Sequence, residues 1–206
     1  MRAAIARADR DMASLTVLAL LLTGARHTYE MHLMIERTHK TFVTGLPRSL
    51  YHAVERLLAA GHVRVVDTTR DGPRPERTVY ELTKEGRIRL QEWVHLLLSQ
   101  PDTDSSLFGP ALTYCGCLPP IEVADALRHR RNQLHERALA ARAALDETRD
   151  HLPRILMVEV EYEASRLEAE RAFTDGLLAD LRTGRLTWSA DPSDLPDIDE
   201  LLREAE

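Results

Sequence analysis

One stretch of the chain changes from a helix pattern to a strand pattern at a single glycine. Residues 47–66 read PRSLYHAVERLLAAGHVRVV. Pro47 suits the first turn of a helix, and Gly61 suits the left-handed residue that ends one. At 100° per residue, the polar side of this helix carries Arg48, Ser49, His52 and Arg56, and the apolar side carries Leu50, Val54, Leu57 and Leu58. The pattern predicts a helix that packs on a core with one side and offers the other for binding.

Two further helix patterns precede this stretch, separated by Gly24. The first covers about residues 15–23 with Ser14 as its expected N-cap, and the second covers residues 28–40. The sequence therefore predicts three consecutive helices joined by short connections.

A hairpin and a fourth helix follow. Residues 62–68 and 78–83 alternate with a period of two, and the turn-rich segment RDGPRPER lies between them at 70–77. Thr83 is in position to cap a helix that ends before Pro101. Three helices, a hairpin with a basic tip and a further helix are the order of a winged helix-turn-helix.

The second half of the chain predicts long helices. The segment PDTDSSLFGP at 101–110 has the composition of a linker, and helix patterns at 121–151 and 154–182 follow it. Their apolar positions recur at steps of three and four, as in a coiled coil, and predict a dimer seam. The expected dimerisation residues are Leu127, Leu134, Ala138, Ala141, Leu145, Leu152, Tyr162, Phe173 and Leu177.

The charge of the chain is divided unevenly between its halves. The net charge at pH 7 is −6, whereas residues 1–99 carry 15 Lys and Arg against 11 Asp and Glu. A basic first half and an acidic second half indicate that a nucleic-acid partner would meet the first half. The predicted organisation is mainly α, with a winged helix-turn-helix DNA-binding domain at 1–99, a helical dimerisation domain at 100–188 and an acidic, mobile tail at 189–206.

The polar side of the third helix is the best candidate for DNA binding. Arginine can bind guanine O6 and N7 with two hydrogen bonds, and one helix fits the major groove. A solvated helix face explains the same residues, but the preceding helix and the hairpin favour DNA; an ordinary polar loop is the alternative for the hairpin tip. The predicted DNA-binding residues are Arg48, Ser49, Tyr51, His52, Arg56 and Lys40, with Arg74 and Arg77 from the tip.

The rest of the sequence shows no pattern typical of a catalytic, cofactor or metal site. The sequence contains no zinc-ligand spacing, phosphate-binding loop or nucleophile motif, so we expect no catalytic residue, cofactor or metal. Cys115 and Cys117 are expected to be packed, reduced thiols, with a redox pair as the alternative. Trp93 is expected in the core or a dimer contact, or else in a pocket for a small aromatic effector. The apolar run at 15–25 is too short to span a bilayer, and we expect a cytoplasmic protein.

Several segments of the first half match a known pattern. They are TYE at 28–30, PRSLYHAVERLLAAGHV at 47–63 and YELTKEG at 80–86. Together they resemble the PadR family of bacterial transcriptional regulators, and the second half is similar to the C-terminal helical module of the longer, virulence-activator-like members. Thr28 and Arg48 depart from the family, which often has glycine at both positions.

The resemblance implies a homodimer that binds an inverted repeat in a promoter, frequently as a repressor and in some cases under the control of a small aromatic ligand. Two alternatives stay open. In one, the third helix binds a protein instead of DNA, and a weak dependence of binding on salt would indicate it. In the other, an acidic helical pocket is catalytic, and convergent titratable groups in a cleft would indicate it.

Overall fold

The computed structural model describes residues 5–69, 77–189, 191 and 194. It confirms a mainly α fold in which a winged helix-turn-helix is followed by a pair of long helices. The elements are α1 Met12–Leu20, β1 Arg26–His27, α2 Thr28–Arg37, α3 Arg48–Ala59, β2 Val63–Thr69, β3 Arg77–Leu82, α4 Lys84–Ser99, α5 Phe108–Thr113, α6 Pro120–Thr148 and α7 Val158–Thr183. Among the described residues, no helix combines the length and the apolar character needed to cross a bilayer.

The start of α1 differs from the prediction. Asp11, not Ser14, is the N-cap, and the helix begins at Met12. The Asp11 carboxylate accepts hydrogen bonds from the backbone N–H of Ser14 at 3.1 Å and from the Ser14 hydroxyl at 2.6 Å. An aspartate three residues ahead of a serine supplies an acceptor for both groups, which is why it takes the capping position. α1 ends at Leu20, a 3-10 turn over Leu21–Thr23 continues it, and the helical run then stops at Gly24 as predicted, where φ is +144°.

The second and third helices form the helix-turn-helix. α2 ends at Arg37, earlier than predicted, because His39 takes a left-handed conformation with φ +50° and the chain then turns toward α3. The predicted end of α3 is confirmed, with Gly61 at φ +72°. The fully buried side chains around which α1, α2 and α3 pack are Leu15, Leu18, Met31, Ile35 and Leu50.

The hairpin belongs to a three-stranded antiparallel sheet in the order β1-β3-β2. The two-residue strand β1 was not predicted, because alternation cannot be recognised over two residues. In β2 the pairing shifts between Val65, opposite Tyr80, and Asp67, opposite Val79, so that Val66 is a bulge. Val63 is buried but Val65 and Val66 are exposed, and the strand lacks the regular two-faced burial that its alternation predicts.

The junction between the sheet and α4 confirms the predicted cap. The Thr83 hydroxyl accepts a hydrogen bond from the Gly86 backbone N–H at 3.0 Å and donates one to the Gly61 carbonyl at 2.8 Å. A Cβ atom at Gly86 would lie 1.9 Å from the carbonyl oxygen of His62. Only glycine therefore allows the first turn of α4 to approach the backbone that leads into β2.

The segment after α4 is packed rather than linker-like. It contains α5, flanked by 3-10 turns, and buries Leu107, Phe108, Ala111 and Leu118 in the same core as the winged helix. The Tyr114 hydroxyl donates a hydrogen bond to Thr16 of α1 at 2.9 Å. Packing is thus continuous across residue 100, and the division into domains at 99 and 188 stays a proposal about function.

The long helices α6 and α7 form an antiparallel hairpin within one chain. Leu134 and Ala138 of α6 are buried against Leu167 of α7, and Leu127 joins the main core. The prediction that Leu127, Leu134 and Ala138 contact a second chain is therefore wrong. The same periodic apolar stripe is satisfied by the neighbouring helix of the same chain.

A buried arginine joins this hairpin to the winged helix. The Arg130 side chain is 3% exposed and bonds the Glu170 carboxylate of α7, with Nε to Oε1 at 2.7 Å. Its Nη1 donates to the carbonyls of Leu97 at 3.0 Å and Gln100 at 3.2 Å, which are at the C-terminal end of α4. The guanidinium carbon is 3.7 Å from the centre of the Phe108 ring of α5. Arg130 thus satisfies helix-end carbonyls that would otherwise be buried without partners.

We expect Arg130→Met to lower the free energy of unfolding by about 3 kcal/mol, because it leaves a buried carboxylate and buried carbonyls without their donor. Urea denaturation followed by circular dichroism measures the change. The matched control is Arg142→Met, which removes an exposed ion pair to Glu168 between the same two helices and is expected to change stability little. Equal effects of the two substitutions would contradict the role given to Arg130.

Candidate nucleic-acid interface

The outward side of α3 is built as its sequence predicts. Leu50, Ala53, Val54 and Leu57 are buried and fix the helix on the core. Arg48, Tyr51, His52, Glu55 and Arg56 are exposed on the opposite side. An exposed helix with bulky polar side chains, held by a rigid apolar side, has the form needed to enter a major groove.

Three exposed side chains of α3 form a connected row. Arg48 Nε donates to His52 Nε2 at 3.4 Å, and His52 Nδ1 lies 3.3 Å from Glu55 Oε2. This pattern corresponds to the histidine tautomer with its proton on Nδ1, which then donates to the carboxylate. The remaining guanidinium N–H groups of Arg48 are directed by this row and are available for a paired hydrogen bond to a base or a phosphate.

Arg56 is engaged within the protein. Its Nε and Nη2 donate to the Asp11 carboxylate at 3.0 and 2.6 Å, and Nη2 lies 3.4 Å from the Ser14 hydroxyl. The pair joins α3 to the N-terminus of α1 and offsets the charge of Arg56. The structure therefore assigns Arg56 a contact between helices, which the prediction of a free DNA-binding arginine did not include.

Ser49 and Lys40 do not share the exposed side of α3. The Ser49 hydroxyl is buried and has no hydrogen-bond partner, so the prediction that it contacts DNA is wrong. The Lys40 ammonium group lies 5.7 Å from the centre of the Tyr114 ring, and burial lowers the pKa of this lysine. Lys40 thus packs against the segment after α4 instead of standing beside α3.

The predicted wing is only partly described. In its stem, Arg64 and Glu81 form an ion pair at 2.7 Å, which offsets one of its positive charges. Arg74 lies outside the described residues. The backbone of Arg77 in β3 pairs with that of Thr69 in β2, and the Arg77 side chain lies outside the described part of the chain. Phosphate contact by the wing remains a prediction.

Trp93 is a core residue. Its indole N–H donates to the Asp9 carbonyl at 2.8 Å, and the Arg89 guanidinium covers its ring at 4.5 Å. These contacts support the expectation that Trp93 lies in the core, and an effector pocket there stays a prediction. Burial likewise raises the pKa of Cys115 and Cys117, the latter to about 12, so both are protonated at neutral pH, as expected of packed thiols.

One exposed aromatic residue of the helix-turn-helix was not predicted as a contact. Tyr29 is 67% exposed in the first turn of α2. The only signal in the sequence was the TYE motif, which marks the start of the helix but does not show the direction of the ring. In helix-turn-helix proteins the helix before the recognition helix crosses the DNA backbone.

We expect Ser49→Ala to raise the free energy of unfolding by about 1 kcal/mol, because it removes a buried hydroxyl without a partner and improves helix propensity. Urea denaturation measures the change. The control Ser165→Ala removes a hydroxyl that donates to the Glu161 carbonyl at 2.9 Å, and it is expected to give a smaller gain, from helix propensity alone. A loss of stability in Ser49→Ala would show that the hydroxyl has a partner.

The comparison with known proteins agrees with this geometry. Residues 17–92 match the model of the transcriptional regulator PadR-like family, whereas no curated protein matches the chain. Similar solved structures include PadR of Bacillus subtilis in complex with operator DNA, with 20% identity, coverage of 82% of this chain and 97% of that one, and a TM-score of 0.38.

Two others have comparable values. B. subtilis PadR in complex with p-coumaric acid is 15% identical over 83% of this chain and 99% of that one, with a TM-score of 0.37. The PadR-like transcriptional regulator BC1756 of Bacillus cereus is 14% identical. The match covers 84% of this chain and 99% of that one, also with a TM-score of 0.37. The residues that match the family model include the helix-turn-helix, the sheet and most of α4. The winged helix of this chain is therefore similar to the domain that the PadR-like family model describes.

Proposed function

We propose that the chain is a dimeric transcription regulator that binds an inverted-repeat operator with α3 in the major groove. The observation that carries the proposal is the exposed row of Arg48, His52 and Glu55 on the third helix of a PadR-like domain. Neither catalysis nor a cofactor is part of this function. Repression is the simpler mode, because a dimer seated on a promoter excludes polymerase without any further contact.

The contacts divide between bases and phosphates. α3 has 12 residues and is about 18 Å long, so its first two turns can lie in the groove while its end packs on the sheet. Arg48 and His52 lie in these turns and are the proposed base contacts. Tyr51 and Tyr29 each present a hydroxyl on an exposed ring, and we assign them to phosphates on either side of the groove.

The electrostatic attraction to DNA is modest. Glu55 lies within the binding row, and Arg56 is offset by Asp11. Affinity must then come from few phosphate contacts, and specificity from the fit of α3 to its operator. The same moderate charge is the observation that favours the alternative, in which α3 binds another protein.

We expect Arg48→Ala to weaken binding to DNA about fivefold, roughly 1 kcal/mol, because it removes the leading donor of the row. The measurement is fluorescence anisotropy with labelled duplexes of random sequence at salt concentrations between about 50 and about 200 mM, over which binding should fall steeply. Arg142→Ala, which changes an exposed arginine in the second half of α6, is the control. If binding is insensitive to salt and to Arg48→Ala, α3 is not the DNA-binding helix and the protein-binding alternative is favoured.

A dimer is supported by an apolar surface at the tip of the α6–α7 hairpin. The side chains there are between 43% and 78% exposed, and they are Leu152, Ile155, Leu156, Val158 and Tyr162. Leu152 and Tyr162 are among the residues that the sequence predicts for dimerisation. A cluster of this kind on a surface otherwise rich in ion pairs is typical of a contact between chains.

We expect Ile155→Asp with Leu156→Asp to convert a dimer to a monomer, because two charges would be buried without partners at the contact. Sedimentation velocity measures the mass in solution. Val65→Asp, which changes a similarly exposed residue of β2, should leave the mass unchanged. A dimer that survives the double substitution would exclude the hairpin tip as the interface.

A further inference from the structure

A groove of about 590 Å³ runs along the outer side of the helical hairpin, between the first half of α6 and the last turns of α7. Its floor is apolar and consists of Ile121, Ala124, Leu178, Ala179 and Leu181. Ile121 is 64% exposed, although it lies beside the main core. The groove is therefore an apolar surface that the described residues leave uncovered.

Three arginines and one aspartate stand around this floor. Arg128, Arg131 and Arg182 line the groove with Asp175. Asp175 is already bonded to Arg171 at 3.0 Å, and Arg131 lies farther from it, at 3.9 Å. Arg128 is in turn bonded to Asp125. Arg131 and Arg182 therefore give the rim an excess of positive charge, and an occupant with an apolar side and acidic flanks would complement it.

The chain itself leaves the hairpin at the mouth of this groove. After α7 ends at Gly184, the indole N–H of Trp188 donates to the Leu118 carbonyl at 2.9 Å. Leu118 is two residues before Pro120, which lines the groove together with Arg182. Whatever follows Trp188 starts beside the groove and is tethered to it.

The sequence that follows has the complementary pattern. Residues 195–206 read LPDIDELLREAE, with five acidic residues and one arginine. Ile198, Leu201, Leu202 and Ala205 recur at helix spacing and would share one side of a helix. A proline near the start and acids in the first turn favour a helix that begins there.

We propose that this acidic segment, residues 195–206, docks in the groove as an amphipathic helix, with its apolar side on Ile121 and Leu178 and its carboxylates toward the arginines of the rim. The dimensions agree, since the groove spans twelve residues of α6, about 18 Å, and a helix over 197–205 is about 13 Å long. Six residues lie between Trp188 and Leu195, and the seven Cα–Cα steps that join them reach about 23 Å in an extended chain. A tethered segment has an effective concentration in the millimolar range, so a weak contact suffices. This inference does not rest on the proposed function.

Hydrogen–deuterium exchange of the full-length protein, read by mass spectrometry on peptides from 195–206, tests the proposal. The amides of 197–205 are expected to exchange at least tenfold more slowly than in a Leu201→Asp, Leu202→Asp variant, which keeps the chain length but loses the apolar side. Ile121→Asp in the floor and Arg182→Glu on the rim should each speed the exchange several-fold. Arg149→Glu, at the other end of α6, should not change it.

Three outcomes would overturn the proposal. The segment could exchange at the same fast rate in every variant, which would show that it does not dock. It could be protected but insensitive to Ile121→Asp and Arg182→Glu, which would place it elsewhere. Protection that is lost on dilution would show that a second copy supplies the occupant. Because the groove variants change exposed side chains, near-UV circular dichroism should confirm that their fold is intact.

Discussion

The guanidinium of Arg130 is the point at which four helices of the chain meet. It donates to the carbonyls that end α4, stacks on Phe108 of α5, projects from α6 and pairs with Glu170 of α7. Burial lowers the pKa of this arginine, and the charge of Glu170 opposes that effect. A buried charge of this kind is stable only while every partner is in place. Arg130 therefore adds a polar link between the winged helix and the hairpin to the apolar packing of Val123, Ala126 and Leu127 on the same core.

This link matters for the proposed function. α4 carries the sheet at one end, through Thr83 and Gly86, and contacts Arg130 at the other. The helix α3, which we propose as the recognition helix, is packed on the same core. If two chains join at the hairpin tip, the distance between their recognition helices is fixed by the helices that lead to Arg130. A dimer with a fixed spacing reads two half-sites at a fixed separation.

The sequence predicts best where one local rule decides the structure. Thr83, Gly24 and Gly61 mark helix ends because their chemistry suits those positions with little help from the rest of the chain. The sequence predicts less well where two partners compete. Asp11 takes the cap from Ser14, and the same carboxylate then binds Arg56, which lies 45 residues away along the chain. No local pattern reveals such a contact, and it is the reason that an expected DNA-binding arginine has a role within the protein.

Periodicity also leaves the identity of a partner open. α6 has the predicted apolar stripe, but its Leu134 and Ala138 pack against α7 of the same chain. Two helices of one hairpin can bury residues at this spacing just as two helices of a dimer can. Ser49 lies at the edge between the two sides of α3. A spacing of 100° per residue does not decide whether the hydroxyl of a residue at that edge is buried or exposed. At the hairpin tip the sequence predicts a contact for Leu152 and Tyr162, whereas the exposure of Leu156 there and of Ile121 in the groove depends on which apolar residues the internal contacts cover.

The central claim, that α3 reads DNA as part of a dimer, is tested most directly by selection from a library of randomised duplexes with the purified full-length protein at physiological salt, followed by sequencing. The account predicts an enriched inverted repeat whose half-sites lie about one helical turn, roughly 34 Å, apart. A folded, dimeric protein that enriches no sequence would contradict it.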